Sequence, residues 1–565
     1  MKSRRRIFRS RFALLPAAIL AGVAPAAAHA ADSPVRGNPL DSLPPIPAPR
    51  PAPPPEAVAP TPQSEALRAT LARRLVPRNF DVSGVTAIDF KEVAAILEPL
   101  AGKEITVAEL IAQTNRITAL YREHGYALSF ALIQSQDFRD GLVKVTVVEG
   151  YIGSTRVQGD AGPAAGKLGE YAARLQAERP LKRATLERYL NLMSTLPGLK
   201  IKPQLNLPRR ADGSTELVLA VDRDAFRVDA GISNLGTGTH ALVTATISSM
   251  TPLAEQVQLM TAVPRGGDHL EYYAASAAVP VGSDGLTVRA DAFSYRAEPS
   301  SNVLEAQNLQ RNVHNQRAGI SVNYPFVLTN QRSLIGTAGF YASDNRDTYR
   351  SRVNGASAQI ANRVRVLRAE AAYTESSVLQ SRRIVAAVYK GIGGLGASQN
   401  AAGGPDLYDL DFTRYTLGVT QSLTLPAQFG VSFAALGQYS SDSLPTSEQL
   451  TFGGQRFGRG YPAGELGGDK GWGASLELNR RFATGLSYLA SVQPYVAADY
   501  AKVSLNDSRF TLASDRLTSV ALGLRLTDQR RYSFDVNLAK PVGDRPINSS
   551  GRPLRFNANY SFQFE

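Results

Sequence analysis

The chain has 565 residues, 62 Lys and Arg against 49 Asp and Glu, and no cysteine. The missing thiols exclude disulfide staples, cysteine nucleophiles and thiolate-ligated metals, and five scattered histidines with no H-E-x-x-H offer no metal cluster. The formal charge of +13 does not imply a nucleic-acid partner: Lys2, Arg4, Arg5, Arg6, Arg9 and Arg11 crowd the first eleven residues, and without them the balance is ordinary.

Residues 1–30 read as a removable export signal. "MKSRRRIFRSR" is a basic n-region, "FALLPAAILAGVAPAAA" is apolar, and Ala28-His29-Ala30 fits the small-x-small cleavage rule. Pro16 and Pro25 break the apolar run, which argues against a membrane anchor. Residues 31–75 follow as a proline-rich linker, an extended solvated spacer, ending in a short helix over Gln63 to Leu75.

Residues 76–150 predict a β-α-α-β-β unit. "NFDVSGV" is a strand and "DFKEVAAILEPLAG" a helix capped by Asp89 and stopped by Gly102. The next helix opens with Thr106 and Glu109 at capping-box spacing and ends at Gly125. "ALSFALI" and "GLVKVTVVEG" are strands. The pattern repeats over 151–223: strand "YIGSTRVQG", helices "AAGKLGEYAARLQA" and "KRATLERYLNLMSTLPG", strands "LKIKPQLNLP" and "STELVLAVDR".

Over 224–565 helical spacing vanishes and period-two alternation takes over. In "RFNANYSFQF", Phe556, Ala558, Tyr560, Phe562 and Phe564 share one face and Arg555, Asn557, Asn559, Ser561 and Gln563 the other. Ser475, Glu477 and Asn479 likewise oppose Ala474, Leu476 and Leu478, and Asp499 shares a phase with Gln493, Tyr495 and Ala497. Sixteen such segments start near Phe226, His240, Glu255, Leu270, Leu286, Gln316, Arg332, Asn362, Arg383, Asp411, Phe429, Gly471, Tyr488, Arg516, Tyr532 and Arg555. Short connections such as "TPLAE" and "LTNQ" alternate with long ones such as "AEPSSNVLEAQNLQRNVHN" and "DNRDTYRSRVNGASAQI". An even count, dyad alternation and tight turns on one side predict a transmembrane β-barrel of 16 antiparallel strands after two α/β modules. No stretch after the leader is long and apolar enough for a spanning helix, and in lipid only a closed sheet then satisfies every backbone group.

The long connection between the eleventh and twelfth segments holds "TFGGQRFGRGYPAGE", Thr451 to Glu465. Glycines allow tight turns, while Arg456, Phe457, Arg459 and Tyr461 are more than a floppy linker needs. This segment, with "TNRITALYREHGY", "VTVVEGYIG", "LERYLNLMSTLPGLKI" and the alternating aromatic end, resembles the transporters of two-partner secretion, the haemolysin and filamentous-haemagglutinin secretion and activation family within the outer-membrane insertase superfamily. The α/β modules resemble POTRA domains, and the resemblance covers about 76–565.

The resemblance implies an outer-membrane pore with its modules in the periplasm. It exports one large unfolded partner, an adhesin or haemolysin-like β-helical protein. It also implies that the Gly458-Arg459-Gly460-Tyr461 loop folds into the lumen, where Arg459 meets the wall acid Asp499 through a bidentate fork. The first module's second strand, Leu128, Ser129, Phe130, Ala131 and Leu132, is the expected edge for capturing the client by strand addition. The terminal aromatics Phe556, Tyr560, Phe562 and Phe564 are the expected signal to the barrel-assembly machinery, although Glu565 follows where an aromatic usually ends the chain. No cofactor, metal or nucleotide is expected, and lipid surrounds a single copy of the chain. The alternatives are a barrel-assembly factor, against which two modules argue, a passive porin, and an outer-membrane hydrolase using His240, His269 or His314, for which no G-x-S-x-G is present.

Overall fold

The computed structural model describes residues 70–564 except 135, 137, 139, 207, 209–211, 235–238, 266–269, 299–301, 402–406, 455–456, 508–511, 513 and 548. The leader, the proline tract and most of the helix expected over 63–75 lie outside the described residues. The end of that helix needs correction: Arg74–Leu75 is a strand paired with Ile105–Thr106. Leu75 is drawn into the core beneath, and Pro77 two residues on disfavours helix at that point.

The first α/β unit is a three-stranded sheet ordered Asn79–Ser83, Leu142–Val148, Phe130–Leu132, with helices Phe90–Leu97 and Val107–Glu123 on one face. Local chemistry sets the helix starts. Asp89 accepts from Lys91 N, and Thr106 and Glu109 form a reciprocal capping box. The second unit repeats the order, with Ser214–Arg223 between Tyr151–Gly159 and Leu199–Leu205 and helices Ala165–Ala177 and Arg183–Ser194 above.

Only Glu149 and Gly150 separate the two sheets, and both are held. Glu149 accepts from Thr86 N (2.7 Å), Ala87 N (2.8 Å), Tyr121 Oη (2.7 Å) and Thr86 Oγ1. Gly150 N donates to Ser129 Oγ (3.1 Å), and a Cβ on Gly150 would sit 2.3 Å from Leu128 O, so no larger residue fits. The units therefore form one arm. Its second unit is docked beneath the barrel: Arg188 donates to Asp284 O (2.9 Å) and Pro325 O (2.8 Å), and Lys167 donates to Gly282 O (3.2 Å).

The barrel strands are β1 (Phe226–Asn234), β2 (Thr239–Ser248), β3 (Gln256–Arg265), β4 (Leu270–Val281), β5 (Leu286–Ala297), β6 (Leu309–Leu328), β7 (Arg332–Ser351), β8 (Ser357–Ser376), β9 (Gln380–Gly391), β10 (Thr413–Thr424), β11 (Phe429–Ser440), β12 (Lys470–Arg480), β13 (Leu489–Ser504), β14 (Arg516–Thr527), β15 (Tyr532–Pro541) and β16 (Arg555–Phe564). Each pairs antiparallel with its neighbour, and β16 closes on β1 from Ala558↔Asn234 to Phe564↔Val228. Two short pieces, Ser398–Ala401 and Phe482–Leu486, add rungs at the rim. The dyad pattern selects the faces. Leu417, Leu476, Leu522, Leu538 and Phe556 stand exposed on the outside, while their neighbours in sequence line the lumen. No helix among the described residues is long and apolar enough to cross a membrane.

The structure corrects two strand starts. The strands expected from Gln316 and Asn362 begin at Leu309 and Ser357, and β6, β7 and β8 each run 20 residues. About ten residues cross a bilayer, so their outer halves stand beyond it. There, "DNRDTYR" of β7 is polar on both faces, and with no lipid to sort the residues the alternation that marks a strand in sequence disappears.

Burial alone would raise the Glu149 carboxyl, but its donors outweigh it and hold it below the usual carboxylate range. A depressed folded value means that this contribution is present at neutral pH and is lost as pH falls through that value. Glu149→Gln should therefore make the joint protease-sensitive at neutral pH and abolish the acid-induced rise in cleavage expected of the parent chain. Equal cleavage of the two proteins at neutral pH would refute this role.

Candidate functional site

The connection from β11 to β12, residues 441–469, does not stay outside. Its ribbon, Leu450–Phe452 paired with Leu466–Gly468, is buried inside the barrel mouth with Tyr461 against Ala501, Val503 and Leu517 of the wall. Glycines permit this approach at two places. Gly458 sits at φ +145, and a Cβ on Gly460 would lie 2.7 Å from Pro541 N.

Between them Arg459 reaches the wall. Arg459 Nη1 donates to Asp499 Oδ1 at 2.6 Å, and Arg459 N donates to Oδ2 at 3.0 Å. Ser519 Oγ also donates to Oδ2 (3.1 Å), and the Asp499 side chain is 1% exposed. The expected two-pronged guanidinium fork is thus corrected. The tip of the turn is tight enough to aim a backbone N–H at the same carboxylate, so one prong comes from the main chain. Arg459 O accepts from Asn557 Nδ2 on β16 (3.1 Å), and Tyr461 Oη donates to Asp544 O (2.6 Å) in the last outer connection.

Three further charged residues join this cluster. Arg459 Nη2 lies 3.6 Å from Glu477 on β12. Glu477 takes a true fork from Arg525 on β14 (2.6 and 2.7 Å), and Arg525 Nε donates to Asp535 on β15 (2.7 Å). Asp535 also accepts from Tyr495 Oη (2.7 Å), and the Tyr495 ring lies 4.2 Å beneath the Arg525 guanidinium. Sequence reasoning placed Glu477 on the lumen phase without giving it a partner. The same phase rule applied to β14 and β15 would have found Arg525 and Asp535.

A second anchor had no signal in the sequence. Glu448, on the descending arm of the loop and 4% exposed, accepts from Arg414 Nη2 on β10 (2.8 Å) and Tyr341 Oη on β7 (2.8 Å). Arg414 lies 3.8 Å over the Tyr389 ring. Asp469 ties the loop's two ends together by accepting from Leu444 N (3.0 Å), and it also accepts from Asn506 N (2.8 Å) in the connection from β13 to β14. The loop is therefore held on the β7–β10 wall and on the β12–β16 wall, across the lumen.

The capture edge expected at Leu128–Leu132 divides. Phe130–Leu132 is an edge strand bonded only to Leu142–Val148. Leu128 and Ser129 do not belong to it: Leu128 packs into the second unit's core and Ser129 holds Gly150, so both serve the joint. Even the edge is partly occupied, because Ala131 N donates to Thr118 Oγ1 of the neighbouring helix (3.0 Å). On β16, Phe556 and Tyr560 face outward, and Tyr560 sits among Tyr532 (6.4 Å) and Phe534 (6.3 Å). Phe562 and Phe564 continue the strand.

Residues 75–150 match the POTRA domain of ShlB type, and residues 215–526, more than half the chain, match the haemolysin secretion/activation protein family ShlB/FhaC/HecB. The heme/hemopexin transporter protein HuxB of Haemophilus influenzae is 22% identical over 491 residues, covering 82% of each chain. The solved structure of CdiB from Escherichia coli superposes with a TM-score of 0.67 at 18% identity, covering 89% of this chain and 93% of that one. BamA from Haemophilus ducreyi, lacking POTRA domains 1–3, superposes at 0.51 with 13% identity over 87% of this chain and all of that one.

Removing one partner of a buried ion pair costs about 3–5 kcal/mol. The chain lacks cysteine, so a single Ala463→Cys label reports on the loop alone. Asp499→Asn should speed its reaction with an impermeant maleimide on intact cells by at least about tenfold. An unchanged rate would show that Asp499 does not hold the loop in.

Proposed function

The chain belongs to the haemolysin secretion/activation protein family, outer-membrane barrels with periplasmic POTRA domains that export partner proteins. We propose that it takes one large secreted protein, an adhesin or haemolysin-like β-helix, in unfolded form and passes it through the barrel to the cell surface. Residues 151–223 act as a second POTRA unit. The chain works as a conduit and not as an enzyme, in a single copy. Lipid contacts its outward apolar belt, and the assembly machinery reads β16 through Phe556, Tyr560, Phe562 and Phe564.

The observation that carries this reading is the chemistry of the lumen loop. Arg459 holds a loop from the outer side against a buried wall carboxylate, at 2.6 Å, beside the apolar contact that Tyr461 makes with the wall. Apolar packing alone would make a permanent stopper. An ion pair in a channel that can take up water is held strongly when dry and released cheaply once wet. Such a loop seals the resting pore and yields when a client enters.

Capture at Phe130–Leu132 works through the backbone, so clients of varied sequence are held. Thr118 guards that edge by occupying Ala131 N–H, and a client strand displaces its hydroxyl. The guard also answers a hazard, since an unprotected edge strand invites aggregation. No nucleotide drives the transfer in the periplasm. Folding of the client outside supplies its direction.

Arg459→Ala should depress client secretion while the heat-modifiable barrel remains in the membrane; normal secretion would remove the loop's role. Thr118→Val keeps the shape and frees Ala131 N–H. Client capture by the full-length variant should become tighter, and unchanged or weaker capture would exclude strand addition at this edge.

A further inference from the structure

The two halves of the lumen wall differ in how their charges are satisfied. On β12–β15 the carboxylates Glu477, Asp499 and Asp535 are all paired with Arg459 or Arg525. On β3–β9, a cavity of about 720 Å³ opens beside the folded loop, and four arginines line it against two carboxylates, Asp291 and Glu370. Only Arg368 has a carboxylate near, Glu370 at 3.7 Å. Arg289 donates to Ser276 Oγ (3.3 Å) and Arg317 lies 3.8 Å over the Tyr341 ring. Among the described residues, no carboxylate lies within ion-pair distance of Arg289, Arg317 or Arg383.

Register places these arginines as a ladder. Arg289 pairs laterally with Ser321, Ser321 with Gly339 and Gly339 with Arg368, so two small residues floor the space between two guanidinium groups. Neighbouring strands lie about 4.8 Å apart, which puts Arg289 and Arg368 about 14 Å apart across the wall. Arg383 pairs with Thr374, six residues along β8 from Arg368 toward the module side. Arg317 pairs with Ser343, four residues along β7 from Gly339 toward the outside. At about 3.3 Å per residue, the ladder runs on the order of 30 Å along the strands. An extended polypeptide has the same rise, so acidic side chains on one face of it meet successive rungs.

We propose that this wall is a transit site for carboxylate-rich stretches of the exported polypeptide, with Arg289, Arg317 and Arg383 as its contacting groups. Arg289 and Arg383 are exposed, Arg317 is half-buried against Tyr341, and all are spaced along the path, so each holds an acid briefly. That combination of weak, repeated sites lets a charged chain enter and also leave. The proposal rests on the export reading for the source of the ligand. The charge chemistry of the wall is testable without any client.

The test uses purified full-length chain in detergent, with fluorescein-labelled poly-glutamate and poly-lysine peptides read by anisotropy. Poly-glutamate should bind roughly tenfold more tightly than poly-lysine, by an interaction that weakens with salt. R289Q/R317Q/R383Q should lose that preference, and the corresponding triple lysine variant should keep it. R73Q/K103Q/K144Q, on exposed positions of the first unit, should bind like the parent. If the triple glutamine variant fails to assemble, the single variants are read instead, each weakening binding by about two- to threefold. Equal binding by the parent and the lumen variants, or equal loss in the exposed control, would overturn the site. Full competition by free glutamate at the same carboxylate concentration would also overturn it, by showing a site for small anions rather than for polypeptide.

Discussion

Water is absent from the bilayer core, so every backbone N–H and C=O must find a partner within the chain. For a chain with no spanning helix among its described residues, that requirement forces the sheet to close, and β16 meets β1 for this reason. Closure fixes everything inside. Side chains alternate, so half of each strand faces a confined lumen whose polar groups cannot all reach bulk water. They must satisfy one another, and the chain of contacts from Arg459 through Glu477 and Arg525 to Asp535 is the result. The loop is drawn into this economy as one more donor.

How much of this was legible follows from where the period of two survives. Within the bilayer, lipid demands apolar residues on one face, and the phases of Asp499, Glu477 and the β16 aromatics were readable from that demand. Beyond the bilayer the demand lapses, and the outer halves of β6 and β8 looked like loop. Contacts that depend on tertiary path left no local trace. Leu128 alternates with Phe130 and reads as part of the edge, yet the close approach at Gly150 brings the second unit's core against it. Glu448 sits in a loop of ordinary polarity, and only the path of the backbone brings it to Arg414 and Tyr341.

Two anchors rather than one change what the loop can do. Arg459 alone would let the loop swing about its roots, whereas Glu448 on the opposite side stops that motion. Release then requires both anchors to open. The paths to the two differ: Asp499 belongs to the wall that also meets Asn557 near the β16–β1 seam, while Tyr341 borders the basic cavity and stacks on Arg317. A chain occupying that cavity would compete for Arg317, loosen Tyr341 and so weaken its hydrogen bond to Glu448. Under the proposed transit site, this order would put the client's own charge upstream of loop release.

The same geometry explains why capture and passage can use different chemistry. In the proposed capture at Phe130–Leu132, recognition would fall on the backbone, where one threonine hydroxyl already occupies an N–H, and would discriminate extended from folded chain and little else. The lumen wall presents side chains, where carboxylate and ammonium are told apart by sign. The arm between them is stiff, because Glu149 locks its joint and Arg188 fixes its base beneath β4–β6. A stiff arm holds a captured strand at a fixed place relative to the pore, which lowers the entropic cost of threading its next segment. On the proposed path the conformation filter would therefore sit first and the charge filter second, and neither would need to recognise a sequence.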